Sequence, residues 1–387
     1  MFLFYRTIAD ALWEYKSLSI ILGLLVVYYG ASKSKKIKLD QEYIGALWVL
    51  GCLVALFLRS LISNINNDTL GIIFKVFTSF ALFFVGYRCR NLKLSSIRIT
   101  YLNMFLIGLQ FLVSFVGYGY QTWGEVRTFS GLYFFKTDMA LAAVIGLSYI
   151  LYFYRKNRTY KYIMVLVALF LIFKTNARVH LLTSFLLIAV YYFRNTILNS
   201  PKKFFIVYPP ILIACFIVVL VVVQTYFSKG LMVVNFDDFG SDSNLQGRNV
   251  IWMTLLTYYW NAPLSNQIYG FDLVADERIN YWYANMNTVY NSHNTFMFLL
   301  ISVGALGLLV FLYLSVIFFK RFFSLCKRPF LAPFQKTLLL MFFSNLLIFY
   351  ISGLSSVTLI HAQQTWFFFF WAGVLFNPFY FQKRNLS

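Results

Sequence analysis

The chain has 387 residues, of which 60% are hydrophobic, 21% aromatic and only 12% charged. Soluble domains hold roughly 45–50% apolar and about 25% charged residues, so a water-soluble globule is excluded. A net charge of +20 would suggest nucleic acid in a soluble protein; here the placement of the charges has another explanation, and no nucleic-acid partner is expected.

Apolar runs long enough to cross about 30 Å of hydrocarbon as helix, roughly 20 residues each, recur from Leu18 to Phe381. Runs such as Phe204 to Phe227 are apolar on every face, whereas the strands of a membrane barrel alternate in polarity. The predicted helices cover 17–32, 43–62, 69–87, 98–117, 132–154, 161–175, 178–194, 204–227, 292–319, 335–356 and 361–381. The fold class is therefore all-α: a polytopic membrane helix bundle of about 11–12 transmembrane helices. It reads as one membrane domain over 1–387, with a large periplasmic loop at 228–291.

Ahead of the first run, Met1 to Lys16 carries Arg6, Asp10, Glu14 and Lys16. This stretch breaks the in-out parity if Leu18 to Tyr29 spans, and an interfacial helix would resolve the conflict. It lacks the basic region, apolar core and small-residue site of a cleavable signal peptide.

The connections at 33–42, 88–98, 155–161, 194–203 and 320–336, with the C-terminus, hold 22 of the 33 Lys and Arg residues. The positive-inside rule makes these cytoplasmic. The connections at 63–69, 118–131, 174–178, 228–291 and 357–361 then fall outside. Cys52, Cys89, Cys215 and Cys326 show no metal or redox spacing and read as packing residues. No internal repeat of the kind that marks many transporters is visible.

The long loop holds six of the thirteen acidic residues: Asp237, Asp238, Asp242, Asp272, Asp276 and Glu277. Within it, Val250 to Trp260 places Ile251, Trp252, Leu255, Leu256 and Tyr259 at helical spacing, with a stop at Asn261 and Pro263. An amphipathic helix on the membrane surface is expected there. Trp252, Tyr290 and neighbouring aromatics suit either sugar stacking or an interfacial belt. Asp237, Asp238 and Asp242 resemble the start of a cation site. The closing Glu of a calcium loop is missing, because Met253 stands in its place, and no metal or other cofactor is expected.

Ionisable groups near the membrane are costly and seldom incidental. On the outer half they are Arg59, Lys75, Arg127, Lys136, Asp138, Lys174, Arg178, His180, Arg248, His293 and His361. The surplus of cations points to an anionic ligand. Arginine offers a planar fork for phosphate and stays charged, and Arg178 and Arg248 are the best placed, with Arg59, Arg127 and Lys136 as further binding candidates. Of the three histidines, His293 has the most telling setting, Asn291-Ser292-His293-Asn294-Thr295, at the close of the loop and the entry to a helix containing Gly304 and Gly307. Imidazole titrates near neutrality and suits a general base; Asn294 is a polar candidate for substrate contact beside it.

The order Thr175-Asn176-Ala177-Arg178, Gly247-Arg248 with Trp252, Tyr269-Gly270-Phe271, then Ser292-His293-Asn294 with Gly304 and Gly307 resembles the O-antigen ligase and polymerase superfamily. Within it the chain looks most like the O-antigen or capsule repeat-unit polymerases (Wzy-type). The likeness is strongest over Gly247 to Phe319. Asn176-Ala177 departs from the Ser often found before the first arginine. The resemblance implies a metal-independent, inverting membrane glycosyltransferase of the bacterial inner membrane whose donor and acceptor are glycans on undecaprenyl pyrophosphate. It also implies Arg178 and Arg248 on the pyrophosphate, His293 as base toward the acceptor hydroxyl, and possible association with a chain-length regulator and a flippase among the membrane lipids. The alternatives are an O-antigen ligase with a lipid A-core acceptor and, from a different class, a flippase for lipid-linked oligosaccharides. High aromatic content favours the polymerase.

Overall fold

The computed structural model describes residues 1–11, 16–31, 41–123, 126–200, 248–283 and 291–381. Its helices are α1 (Phe2–Ala11), α2 (Lys16–Ala31), α3 (Gln41–Ser63), α4 (Asn67–Arg88), α5 (Leu92–Val116), α6 (Lys136–Phe153), α7 (Arg158–Lys174), α8 (Arg178–Tyr192) and α9 (Arg194–Asn199). Then follow α10 (Arg248–Asn261), α11 (Leu264–Tyr269), α12 (Ala275–Tyr283), α13 (Thr295–Cys326), α14 (Pro333–Gly353), α15 (Ala362–Leu375) and α16 (Pro378–Phe381). An antiparallel hairpin of β1 (Tyr120–Trp123) and β2 (Val126–Phe129) pairs Tyr120 with Phe129.

Among the described residues, six helices, α3, α4, α5, α6, α13 and α14, are long and apolar enough to cross a membrane. The predicted spans at 17–32, 161–175, 178–194 and 361–381 are also helices, but shorter: 16, 17, 15 and 14 residues. The predicted helix at 204–227 and the loop acids Asp237, Asp238 and Asp242 lie outside the described residues. The protein is thus an all-α membrane helix bundle. Large apolar side chains, among them Trp48, Phe105, Leu112, Leu166 and Leu309, are exposed on its helices, as suits a hydrocarbon solvent.

Contacts sort the connections into two ends. At one, which we term lower, Arg321 pairs with Glu42 at 2.7 Å, Asn377 donates to the Cys89 carbonyl at 2.7 Å, and the Leu92 N–H donates to the Tyr380 hydroxyl at 3.1 Å. At the upper end Thr295 and Thr358 share a 2.8 Å hydrogen bond, and Arg59 reaches the Tyr269 carbonyl. Among the described residues, the ends of the basic connections that these contacts join are thus separated in space from those of the non-basic ones.

The first 31 residues keep this order in an unforeseen way. One face of α1 is packed into the protein, with Leu3, Arg6, Thr7, Ala9 and Asp10 buried, while Tyr5 is exposed. Met1 and Phe2 line a cavity with Tyr29, Cys89 and Leu92 at the lower end, and the Phe2 ring meets that of Tyr29 at 5.6 Å. Both outer ends of the α1/α2 pair thus sit at the lower end, which removes the parity conflict. Arg6 and Asp10, one turn apart on α1, form an ion pair, and the Arg6 guanidinium lies over the Trp366 ring at 5.4 Å. Pairing is what makes two buried charges tolerable.

Aromatic rings fill the core. Tyr43 stacks on Tyr87 at 3.8 Å and Phe349 on Phe368 at 4.2 Å. Since lipid and side chain are equally apolar, helix association relies on close packing and buried hydrogen bonds. Gly86 and Gly373 let α4 and α15 approach so closely that a Cβ at either would strike the opposite backbone, at 2.0 and 1.9 Å. Ser79 and Thr365 bridge the same pair at 2.7 Å.

The upper end carries a small second core in which Ile251, Leu255 and Tyr259 of α10 and Ala275 and Ile279 of α12 close around Ile301 of α13. A helix is present where the sequence places one, as α10, but it is not amphipathic: Ile251, Leu255 and Tyr259 turn onto protein while Val250, Met253 and Trp260 are exposed. A break in α13 seats this layer. Gly304 has φ +76 and ψ −178, a conformation only glycine adopts freely. Around that break the Ile301 carbonyl accepts the Phe271 N–H at 2.9 Å, and the Ser302 carbonyl accepts the Ser60 hydroxyl at 2.6 Å. Gly270 fits the notch: a Cβ there would lie 2.5 Å from Ser302, and one on Gly304 would lie 2.3 Å from the Ile268 oxygen.

Candidate functional site

Lys136, Arg178 and Arg248 stand at the upper end within electrostatic reach of one another. Lys136 is the first residue of α6 and Arg178 the first of α8, two helices that pack together. The turn Thr175-Asn176-Ala177 delivers Arg178 directly: Asn176 has φ +55, and its N–H donates to the Phe173 carbonyl at 3.0 Å. Asparagine enters this left-handed region more readily than most residues, which gives Asn176 a local role.

The N-cap positions of α6 and α8 are Phe135 and Ala177, which accept nothing through their side chains. By contrast Asn66, Asn157 and Asn294 cap α4, α7 and α13. The start of α8, with no side-chain cap and no acid in its first turn, carries partial positive charge, and a cation beside it costs about 0.3–1 kcal/mol; at α6 the Asp138 carboxylate in the first turn bonds the Phe135 backbone. An anion seated between the cations and the start of α8 reverses the sign of that term. Arg248, on α10, adds a third charge; burial first, then Arg178, pulls its guanidinium below the ordinary value, and arginine remains protonated nonetheless.

His293 borders this group. It sits between Ser292 and the Asn294 cap, whose Oδ1 accepts the N–H groups of Phe296 and Met297 at 2.9 and 3.1 Å. The His293 backbone has φ +46, and its N–H donates to Asn291 Oδ1 at 2.9 Å. Among the described residues, Asn176 and His293 are the only non-glycine residues at positive φ. Such strain gathers at functional sites, and here it falls in the two turns that present Arg178 and the imidazole. Burial, and then the Arg248 charge, lowers His293 to about 4. The ring is neutral at neutral pH, the form in which an imidazole can take up a proton. His361 lies in the field of His293 and Lys75, and His180 in that of His361, so the chain's three histidines share one neighbourhood.

The other residues singled out by sequence are placed differently. Trp252 is half-buried and its indole N–H donates to the Ser292 carbonyl at 2.8 Å. Asn294 caps α13 and donates to the Leu354 carbonyl at 3.4 Å. Arg59 is held by the Tyr269 carbonyl at 2.7 Å and lies over the Tyr269 ring at 5.0 Å. Arg127 is exposed on the hairpin, over the Tyr120 ring at 4.4 Å. Tyr290 lies outside the described residues. Among the described residues no group of three His, Cys, Asp or Glu is arranged to hold a metal ion.

Sequence reasoning gave no role to Asp276, which is 1% exposed and accepts the Ser292 N–H on Oδ2 at 2.8 Å. Its neighbour Glu277 is pushed up to about 7 by burial, then by Asp276 and Asp68, with Lys75 opposing. An acidic pair in the first turn of α12 reads as ordinary helix-dipole matching, and only the distant Ser292 distinguishes it. No family model and no curated protein matches this chain.

Proposed function

We propose that the protein is a membrane glycosyltransferase that polymerises undecaprenyl-pyrophosphate-linked oligosaccharide repeat units into O-antigen or capsular polysaccharide on the periplasmic side of the bacterial inner membrane. The observation that carries this reading is the convergence of Lys136, Arg178 and Arg248 beside His293 at one end of a membrane bundle. In it the cations and the start of α8 hold the pyrophosphate of the donor. His293 removes the proton from the acceptor hydroxyl as that oxygen forms its bond to the anomeric carbon. The bond from this carbon to the pyrophosphate oxygen breaks on the opposite face, so the configuration inverts and undecaprenyl pyrophosphate leaves with the electron pair. Fixed cations in a dry site stabilise that growing charge without reorganising, and general-base assistance contributes roughly 10² to 10⁴ in rate.

The deciding experiment is extension of undecaprenyl-pyrophosphate-linked repeat units by the purified full chain, comparing wild type with His293→Ala at equal folded yield. A product ladder that vanishes in the variant supports the reading, and an undiminished ladder removes His293 as base. Transfer to a lipid A-core acceptor instead would identify a ligase, and lipid translocation without a new glycosidic bond would identify a transporter.

A further inference from the structure

The main chain ahead of His293 is gripped on both sides by residues of the upper layer. The Ser292 N–H donates to Asp276 Oδ2 and the Ser292 carbonyl accepts the Trp252 indole N–H, both at 2.8 Å. Ser292 and Asp276 are 0% and 1% exposed. On the other side Asn294 is locked by capping α13. One residue, His293, must join two fixed points, and it does so at φ +46. A buried carboxylate is expensive unless its hydrogen bonds repay the lost hydration, and an apolar residue would fill the same space without that cost. Asp276 therefore has a reason to be polar, and the N–H it holds is one residue from the proposed base.

We propose that Asp276 and Trp252 are positioning residues for His293, clamping the Ser292 main chain so that the imidazole stays buried beside Arg248. This inference rests on the role of His293 proposed above. It also assigns Trp252 a task distinct from sugar stacking: the side chain packs against the small upper core, and its N–H donates to the Ser292 carbonyl.

The test uses the full chain in lipid nanodiscs with ¹⁵N-labelled histidine, which yields three pairs of ring-nitrogen signals because the chain has three histidines. Trp252→Phe keeps an aromatic ring and removes the N–H; Asp276→Ala removes the acceptor; Asp276→Asn retains an acceptor oxygen. The expected result is that Trp252→Phe and Asp276→Ala move the His293 titration from about 4 toward its ordinary 6.5, with His361 following because it lies in the field of His293 and with the ring signals of His180 in place at pH 8. Chain extension in these two variants should lose about 10- to 100-fold in kcat, the cost of a misplaced group, with the donor KM within about twofold. Asp276→Asn should stay close to wild type in both readouts.

Unchanged His293 titration and kcat in Trp252→Phe would overturn the clamp, as would an Asp276→Asn variant as defective as Asp276→Ala. Should Asp276→Ala disturb the His180 signals at pH 8, where all three rings are neutral, Trp252→Phe decides alone. A wild type that makes no polymer would sink the proposed function, and the titration would still decide whether the clamp sets the His293 environment.

Discussion

The Arg59 guanidinium donates to the Tyr269 carbonyl at 2.7 Å, joining the upper turn of α3 to the end of α11 across 210 residues of sequence. The same side chain lies over the Tyr269 ring, so it acts as a strut under the upper layer. Arg59→Ala should lower stability in detergent by about 1–3 kcal/mol, the usual range for a charged hydrogen-bond donor, and leave pyrophosphate affinity within twofold. Thermal melts with and without pyrophosphate check this; lost affinity at unchanged Tm would return Arg59 to the ligand site.

Arg178 and Arg248 feel each other's charge, so their contributions to anion binding should not add. With pyrophosphate as inhibitor of chain extension, Arg178→Gln and Arg248→Gln should each weaken inhibition roughly 10- to 100-fold, as expected for a lost charge-assisted contact. The double variant should lose less than the product of the two. Lysine at either position should fall in between, keeping the charge and losing the fork. Strict additivity would place the two arginines on separate ligands.

His293 has its pKa lowered to about 4 by burial and Arg248. Between that value and its ordinary 6.5 the unfolded chain binds the proton and the folded one does not, so stability falls as pH drops through this window. The share belonging to His293 is the part of the pH 7 to pH 5 decline in Tm that His293→Asn abolishes. Asparagine is the better probe because it accepts positive φ with less strain than alanine. A decline identical in wild type and variant would contradict the burial of this ring.

Glu277 should behave in the opposite sense. Its carboxyl is raised to about 7, so the folded state keeps a proton that the unfolded state releases above its ordinary value of 4.5. Stability tied to it is present in acid and lost as pH rises from about 4.5 to 7. Glu277→Gln should raise Tm at pH 8 and leave it nearly unchanged at pH 4; an equal effect at both pH values would show that the carboxyl is not perturbed.

Gly304→Ala should be severe, about 2–5 kcal/mol from the positive φ and the clash with the Ile268 oxygen together. Gly108→Ala, on α5 with nothing within 4 Å, should be neutral or stabilising by up to about 1 kcal/mol. Folded yield and Tm of the two variants side by side provide the measurement.

What the sequence reveals here follows from how local each signal is. Helix positions are legible because a hydrophobic stretch must be helical in lipid whatever its neighbours are, and α3 to α8 and α13 to α15 lie where the runs predict. The sorting of Arg178, Arg248 and His293 to one end is legible for a related reason: basic connections mark the other end. Which cation meets which is a tertiary fact. Lys136 and Arg127 are nine positions apart and equally polar on paper, yet one heads α6 beside Arg178 and the other lies over Tyr120. Trp252, Asn294 and Arg59 suit a substrate surface by residue type, and their polar atoms are engaged by carbonyls and N–H groups that no spacing rule reveals. The burial of one face of α1 was hidden because Arg6 and Asp10, each costly alone, are tolerated as a pair.

The break at Gly304 also bears on how this protein can be recombined. A loop tethered only at its two ends is a module that can be exchanged between relatives. Here the loop's Phe271 bonds to the Ile301 carbonyl, Gly270 fills the notch beside Ser302, and Ser60 takes the Ser302 oxygen. A chimera that imports the upper layer therefore has to bring matching parts of α3 and α13 with it, and specificity carried by that layer is inherited with the membrane helices rather than independently of them.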